Sequence, residues 1–185
     1  MTREQWLSDG IDLLRPWFAS HGYDVPDTVR VSVGWARGSR KAIGQCWKRS
    51  SAKDGVSQVF ISPALATGIA ALDTLAHELV HAAIDPHSGH AGKFVTAMHA
   101  LGLTGKPTQA GAGPALMPLL LDVAAKLGDY PHAALDPNDG IKKQSTRLLK
   151  VECLACSYIA RVTQKWLDTG SPLCPCNSEP MTEGV

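Results

Sequence analysis

The residues with the most evident chemistry form one pentad, His77-Glu78-Leu79-Val80-His81. At helical pitch, positions 77 and 81 stand about one turn apart on one face. Two imidazoles placed that way can grip one zinc ion, and Glu78, the next residue round, can reach a water on the same metal. This is the H-E-x-x-H arrangement of zinc hydrolases, with histidine ligands and a glutamate general base. Ile69, Leu72, Leu75, Ala76, Leu79, Val80 and Ala83 are apolar on both flanks, so the helix is expected to be largely buried. Two histidines and a carboxylate inside such a helix need partners, because unpaired buried polar groups are costly.

A catalytic zinc takes a third protein ligand and keeps one position open. No glutamate lies between Glu78 and Glu152, and Glu152 adjoins a cysteine-rich segment, which argues against a downstream glutamate in that role. Two histidines compete. His87 follows His81 by six residues, the spacing of the longer H-E-x-x-H-x-x-G-x-x-H pattern. Ile84 stands where that pattern has its glycine, although Asp85-Pro86 can supply a turn. His90 follows His81 by nine residues, in Gly89-His90-Ala91-Gly92-Lys93-Phe94, just before the next expected helix. No pattern identifies the group that would stabilise the transition state; Tyr130, Arg37 and Arg40 are candidates.

A second constellation lies near the C-terminus. Cys153-x2-Cys156-x17-Cys174-x-Cys176 supplies four thiols in two close pairs, the grammar of a structural zinc ribbon. Its second pair is one residue shorter than C-x-x-C; Pro175 constrains that turn and Asn177 tolerates a left-handed backbone. A redox-active thiol pair is the rival reading. Two zinc ions are therefore expected, one catalytic and one structural.

The elements that must position these groups follow from periodicity. Residues 2–19 carry Trp6, Leu7, Ile11, Leu14, Trp17 and Phe18 near helical spacing, with Pro16 placed to kink the helix or end it early. Val29–Trp35, Ala42–Trp47 and Val56–Ile61 read as three short strands, most economically a small antiparallel sheet. The zinc helix is expected from about Ile69 to Ile84, because Pro86 disfavours helix at Asp85. A helix with Phe94, Val95, Met98 and Leu101 follows, then a loop over Lys106–Gly113 and a helix over Leu116–Leu127 halted by Gly128. Asp136-Pro137-Asn138-Asp139-Gly140 is a turn cluster that separates a domain over 1–140 from a four-cysteine module over 146–180. The expected class is α+β: an N-terminal helix, a small sheet and a zinc helix, then a small β ribbon.

Composition sets the bounds. At 185 residues, with 44% hydrophobic content and a net charge of +1, the chain holds one good core and makes no case for nucleic acid from charge alone. The N-terminus lacks the apolar stretch of a signal peptide and no run could span a membrane, so a reducing, cytoplasmic setting is expected, where five cysteines favour metal over disulfides. Cys46 reads as a small core residue. Arg30, Arg37, Arg40, Lys41, Lys48, Arg49 and Lys53 make the strand region basic, which a solvated sheet edge explains at least as well as a nucleic-acid surface.

Several of these motifs together resemble the SprT-like family of zinc metallopeptidases. That family pairs H-E-x-x-H-A with a later histidine in a G-H-G-x-x-F/W context, before a helix carrying Met or Leu-Gly-Leu. Here the matching residues are His77-Glu78-Leu79-Val80-His81-Ala82, Gly89-His90-Ala91-Gly92-Lys93-Phe94, Met98 and Leu101-Gly102-Leu103, with Gly44-Gln45-Cys46-Trp47 and Ile61-Ser62-Pro63-Ala64-Leu65 upstream. Ala91 departs from the usual glycine. The resemblance covers residues 44–103 and extends to the cysteine module. It implies a zincin-like fold, His90 rather than His87 as third ligand, and a protein substrate. Some members digest proteins crosslinked to DNA, which makes DNA a candidate partner, as do Lys142, Lys143, Arg147, Lys150, Arg161 and Lys165 around the module. Two alternatives stay open: a metal-dependent nuclease using His77, His81 and His87, against which Glu78 counts, and a non-catalytic DNA-binding adaptor that keeps zinc for its fold.

Overall fold

The computed structural model describes residues 1–84, 89–139 and 147–183. Helix α1 (Arg3–Ser20) begins where the Thr2 hydroxyl accepts the Gln5 N–H, satisfying a donor that the first turn leaves without a helical partner. Trp6, Leu7, Ile11, Leu14 and Phe18 form its buried stripe. The helix does not stop at Pro16. An interior proline costs about 3 kcal/mol, but Leu14 and Phe18 on either side have no exposed surface. Burying each side chain contributes about 1.5–3 kcal/mol, enough to carry the helix through. At the start of α1 the buried Arg3 donates to the carbonyls of Pro63, Pro131, His132 and Ala133, joining distant segments by one guanidinium.

Strands β1 (Val29–Val33), β2 (Gly44–Trp47) and β3 (Ser57–Ile61) form one sheet in the order β1-β3-β2. The expected all-antiparallel sheet is corrected here: β2 runs antiparallel to β3, but β1 runs parallel to it, with Val31 opposite Val59. Each connection reverses the chain, as the turn signals suggest. The third strand inserts between the first two, so β1 neighbours a strand two reversals away. That leaves β2 at one edge.

Helix α2 (Gly68–Ala83) is capped by Thr67, whose hydroxyl accepts the Ala70 N–H. Gly68 lies against Trp6, whose ring atoms would stand 3.1 and 3.2 Å from any Cβ there. From Leu75 to Ala82 every side chain of α2 is buried, and the helix packs on the sheet and on α1. Helix α3 (Lys93–Ala100) buries Phe94, Ala97 and Met98. Strand β4 (Leu103–Thr104) pairs antiparallel with β5 (Gly111–Ala112). The segment expected as a plain loop thus contains a 3-10 turn at Pro107–Gln109 and a strand. Helix α4 (Met117–Leu127) ends at Gly128, which takes φ 74°.

The chain divides into two compact units, Met1–Pro137 and Asn138–Val185. The second has β6 (Leu148–Glu152), β7 (Ile159–Thr163), a short helix α5 (Gln164–Thr169) and β8 (Thr182–Glu183), with strand order β7-β6-β8. Its buried cluster is small: Val151, Cys153, Cys174 and Met181. The whole is α+β, and among the described residues no helix is long and apolar enough to cross a membrane.

Candidate metal centres

One face of α2 carries Asp73, His77 and His81 at successive turns. The chain after α2 brings His90 back to them. The Nε2 atom of His90 stands 3.2 Å from that of His77 and 3.2 Å from that of His81. Phe94, the first buried residue of α3, is the platform beneath. Its ring stacks on His81 at 4.2 Å and lies 5.1 Å from His77 and 5.0 Å from His90. The glycine before α3 makes the entry: Gly92 takes φ 52°, a left-handed value most side chains resist.

These separations suit a shared cation. Three nitrogens about 2.0–2.1 Å from one tetrahedral ion stand about 3.3–3.4 Å apart. Hydrogen bonding alone accounts for them poorly, since a proton on the His90 Nε2 could serve only one neighbour. His77 is already oriented for ligation. Its Nδ1–H donates to the Ala110 carbonyl at 3.0 Å, which leaves the Nε2 lone pair facing the group. Burial lowers the His77 pKa against the opposing pull of that bond and of Asp73, favouring the neutral ligand form.

Glu78 is buried beside this group, against the edge strand. Burial lifts its carboxyl to about 8, while a hydrogen bond from the Cys46 backbone N–H pulls the other way. A Cβ on Gly44 would stand 2.5 Å from Glu78 Oε1, so a glycine is needed where β2 passes the carboxylate. Cys46, expected as a small core residue, is half-buried on that strand, packs against the main core and also lines the cleft. The cleft has a volume of about 640 Å³; Lys41, Gly44, Asp73, Glu78, His90 and Gln109 are among its lining residues.

Sequence reasoning passed over Asp73, whose carboxylate accepts the Ala112 N–H at 2.6 Å. Its place one turn before His77 was the available signal. Burial raises its pKa, with the Ala112 bond and His77 opposing. The three transition-state candidates do not line the cleft. Tyr130 packs edge-on against Trp6 at 5.0 Å and under the Arg3 guanidinium. Arg37 and Arg40 lie over Trp47 and Trp35. His87 falls outside the described residues, and His99 is exposed on α3.

In the second unit, Cys153 and Cys156 flank a turn after β6, and Cys174 and Cys176 flank another. Their sulfurs are 3.8 Å apart for Cys153–Cys176, 3.5 Å for Cys156–Cys174 and 3.4 Å for Cys174–Cys176. A disulfide needs about 2.0 Å; four thiolates around one tetrahedral zinc at about 2.3 Å stand about 3.8 Å apart. The Cys156 and Ala155 backbone N–H groups point at Cys153 and draw its thiol down to about 7. Hydrogen bonding with the Cys156 thiol, and next with that of Cys174, pushes Cys176 up. Among the described residues, the histidine trio and the cysteine quartet are the groups that could hold a metal ion. Both donor sets are compatible with zinc.

Compared with family models, curated proteins and solved structures, the chain matches none.

Proposed function

We propose that the chain is a zinc-dependent metalloendopeptidase of SprT-like type, with a structural zinc ribbon after it. One observation carries the reading: a buried glutamate lies beside three converging imidazoles in an open cleft. His77, His81 and His90 would hold the catalytic ion; Cys153, Cys156, Cys174 and Cys176 would hold the structural one. Zinc at the histidines supplies Lewis acidity toward a peptide carbonyl and lowers the pKa of water to about 7. Glu78 takes the proton from the attacking water at its carboxylate and returns it to the leaving amine. Glu78 lines the same cleft as the three histidines, and a cation bound there would favour its ionised form against the effect of burial. Ala110 keeps the His77 proton on Nδ1.

DNA-associated proteins are the proposed substrates. Exposed Tyr158 and Trp166 in the second unit, with Arg161 and Lys165 beside them in sequence, offer the aromatic faces and cations that suit single-stranded nucleic acid. The nuclease alternative rests on His87 and leaves Glu78 without a role. Digestion of casein and of RNA, each with and without chelator and single-stranded DNA, tests the proposal. Casein cleavage that chelation abolishes and zinc restores is the expected result. RNA cleavage, or zinc-replete protein inert toward casein under every condition, overturns it. An unchanged casein rate with single-stranded DNA removes the DNA part alone.

A further inference from the structure

We propose that Asp73 is a positioning residue for His77, acting through the backbone of Ala110, Gly111 and Ala112. The two side chains lie one helical turn apart on α2 and hold the same short segment, His77 at Ala110 just before β5 and Asp73 at Ala112 within it. Asp73 Oδ1 accepts the Ala112 N–H at 2.6 Å; His77 Nδ1–H donates to the Ala110 carbonyl at 3.0 Å. Between these bonds Gly111 passes directly over the carboxylate. A Cβ there would stand 2.8 Å from Asp73 Oδ2 and 3.3 Å from Oδ1.

The strand needs such an anchor. β5 is two residues long and pairs with a β4 of equal length, Leu103 opposite Ala112 and Thr104 opposite Gly111. A ladder that short holds its register weakly, and the oxygen acceptor at position 73 adds a bond from outside the ladder to the Ala112 N–H. Because the Ala110 carbonyl, two residues before the anchored Ala112, decides which His77 nitrogen keeps the proton, an anchor at Ala112 sets the tautomer of the ligand. With Ala110 in place, the Nε2 lone pair faces His90 and His81. With the strand loosened, the proton is free to sit on Nε2 and block the group.

The proposal rests on reading the three histidines as ligands, and the two measurements that test it fail separately. The first reads the His77 tautomer by long-range 1H–15N spectra of the full chain after mild chelation removes the labile metal. The second reads zinc affinity at the histidines by competition with a chromophoric chelator, with cysteine-bound zinc as internal reference. Wild type and Asp73→Asn, which keeps an oxygen acceptor, should both show His77 protonated at Nδ1 and zinc affinities within about threefold of each other. Asp73→Ala and Gly111→Ala should show mixed tautomers and about 10- to 100-fold weaker zinc, with cysteine-bound zinc unchanged. A pure Nδ1 tautomer in Asp73→Ala overturns the proposal, as does an Asp73→Asn that behaves like Asp73→Ala. Should Asp73→Ala fail to fold, the contrast between Asp73→Asn and Gly111→Ala decides. Wild type without zinc at the histidines would refute the ligand reading, while the tautomer comparison would still judge Asp73.

Discussion

The histidine and cysteine groups bring donor atoms to similar separations, yet they stand on different foundations. Around the histidines, Leu72, Leu75, Ala76, Leu79, Val80 and Phe94 have no exposed surface and belong to the main core. Hydrophobic burial organises that site before any metal arrives. Around the cysteines the buried cluster has four members among the described residues, two of them the cysteines Cys153 and Cys174 themselves, while Leu154 is 87% exposed and Trp166 60% exposed. A unit with so little apolar burial depends on cross-links or metal for its fold. The comparison teaches that similar donor geometry can rest on different support: the histidines are set in the main core, whereas on the proposed reading a metal at the cysteines would have to hold its unit together.

The sharpest way to break this comparison is Cys174→Ser. Structural zinc in small modules is worth on the order of 10–16 kcal/mol in apparent terms. The variant should lose the tightly held metal and the dispersed NMR signals of residues 147–183, while the Met1–Pro137 unit keeps its signals. A ribbon that stays folded without metal would remove the contrast.

Next in size is Glu78→Gln, which nearly preserves shape but cannot accept a proton. General-base assistance is worth about 10² to 10⁴ in rate, so peptidase turnover should fall by that factor. Zinc content and melting temperature, measured on the same preparation, should hold. Full turnover in a zinc-replete variant would sink the proposed mechanism.

Gly44→Ala probes the same carboxylate from the strand side. Its Cβ would lie 2.5 Å from Glu78 Oε1 and 2.6 Å from Thr74 Cγ2. Overpacking of this kind costs about 1–3 kcal/mol, and a displacement of about 1 Å at a reacting group can cost on the order of 10²-fold in rate. Calorimetry and steady-state kinetics should show both losses. Unchanged kcat would mean that the strand does not place Glu78.

The smallest expected effect is that of His90→Ala on stability. His90 is exposed, and exposed substitutions usually stay within about 0.5 kcal/mol. The labile zinc should leave while the melting temperature of the metal-free protein barely moves. A large drop would show that His90 holds the fold as well as the group.

How much of this could be read before folding depends on the range of the interaction. The α2 pattern, its termination near Ile84, α4 with Gly128 after it, and the helix carrying Phe94 are local matters of periodicity and capping, and the chain displays them openly. The same holds for the pentad, where helical pitch alone sets His77 and His81 one turn apart. The cysteine pairs are likewise legible from their close spacing. Strand order was not: the direction of β1 relative to its neighbour follows from β3 lying between β1 and β2, a choice made by packing on α1 and α2. Pro16 does not end the helix read over residues 2–19, since its local cost is outweighed by the tertiary burial of Leu14 and Phe18.

Residue types and spacing by themselves determined His77, His81 and the four cysteines as donors and Glu78 as the carboxylate beside them, but left His87 and His90 competing until the fold brought His90 to the group. Only the tertiary structure decided what surrounds those side chains. It laid the bare backbone of Gly44 over Glu78, set Cys46 at the border between core and cleft, and placed Tyr130 against Trp6 instead of the histidines. It also brought the Ala110–Ala112 segment across Asp73 and His77. Contacts between residues more than thirty positions apart, such as His77 with Ala110, leave no mark in local periodicity, because each partner would satisfy its own helix or strand equally well without the other.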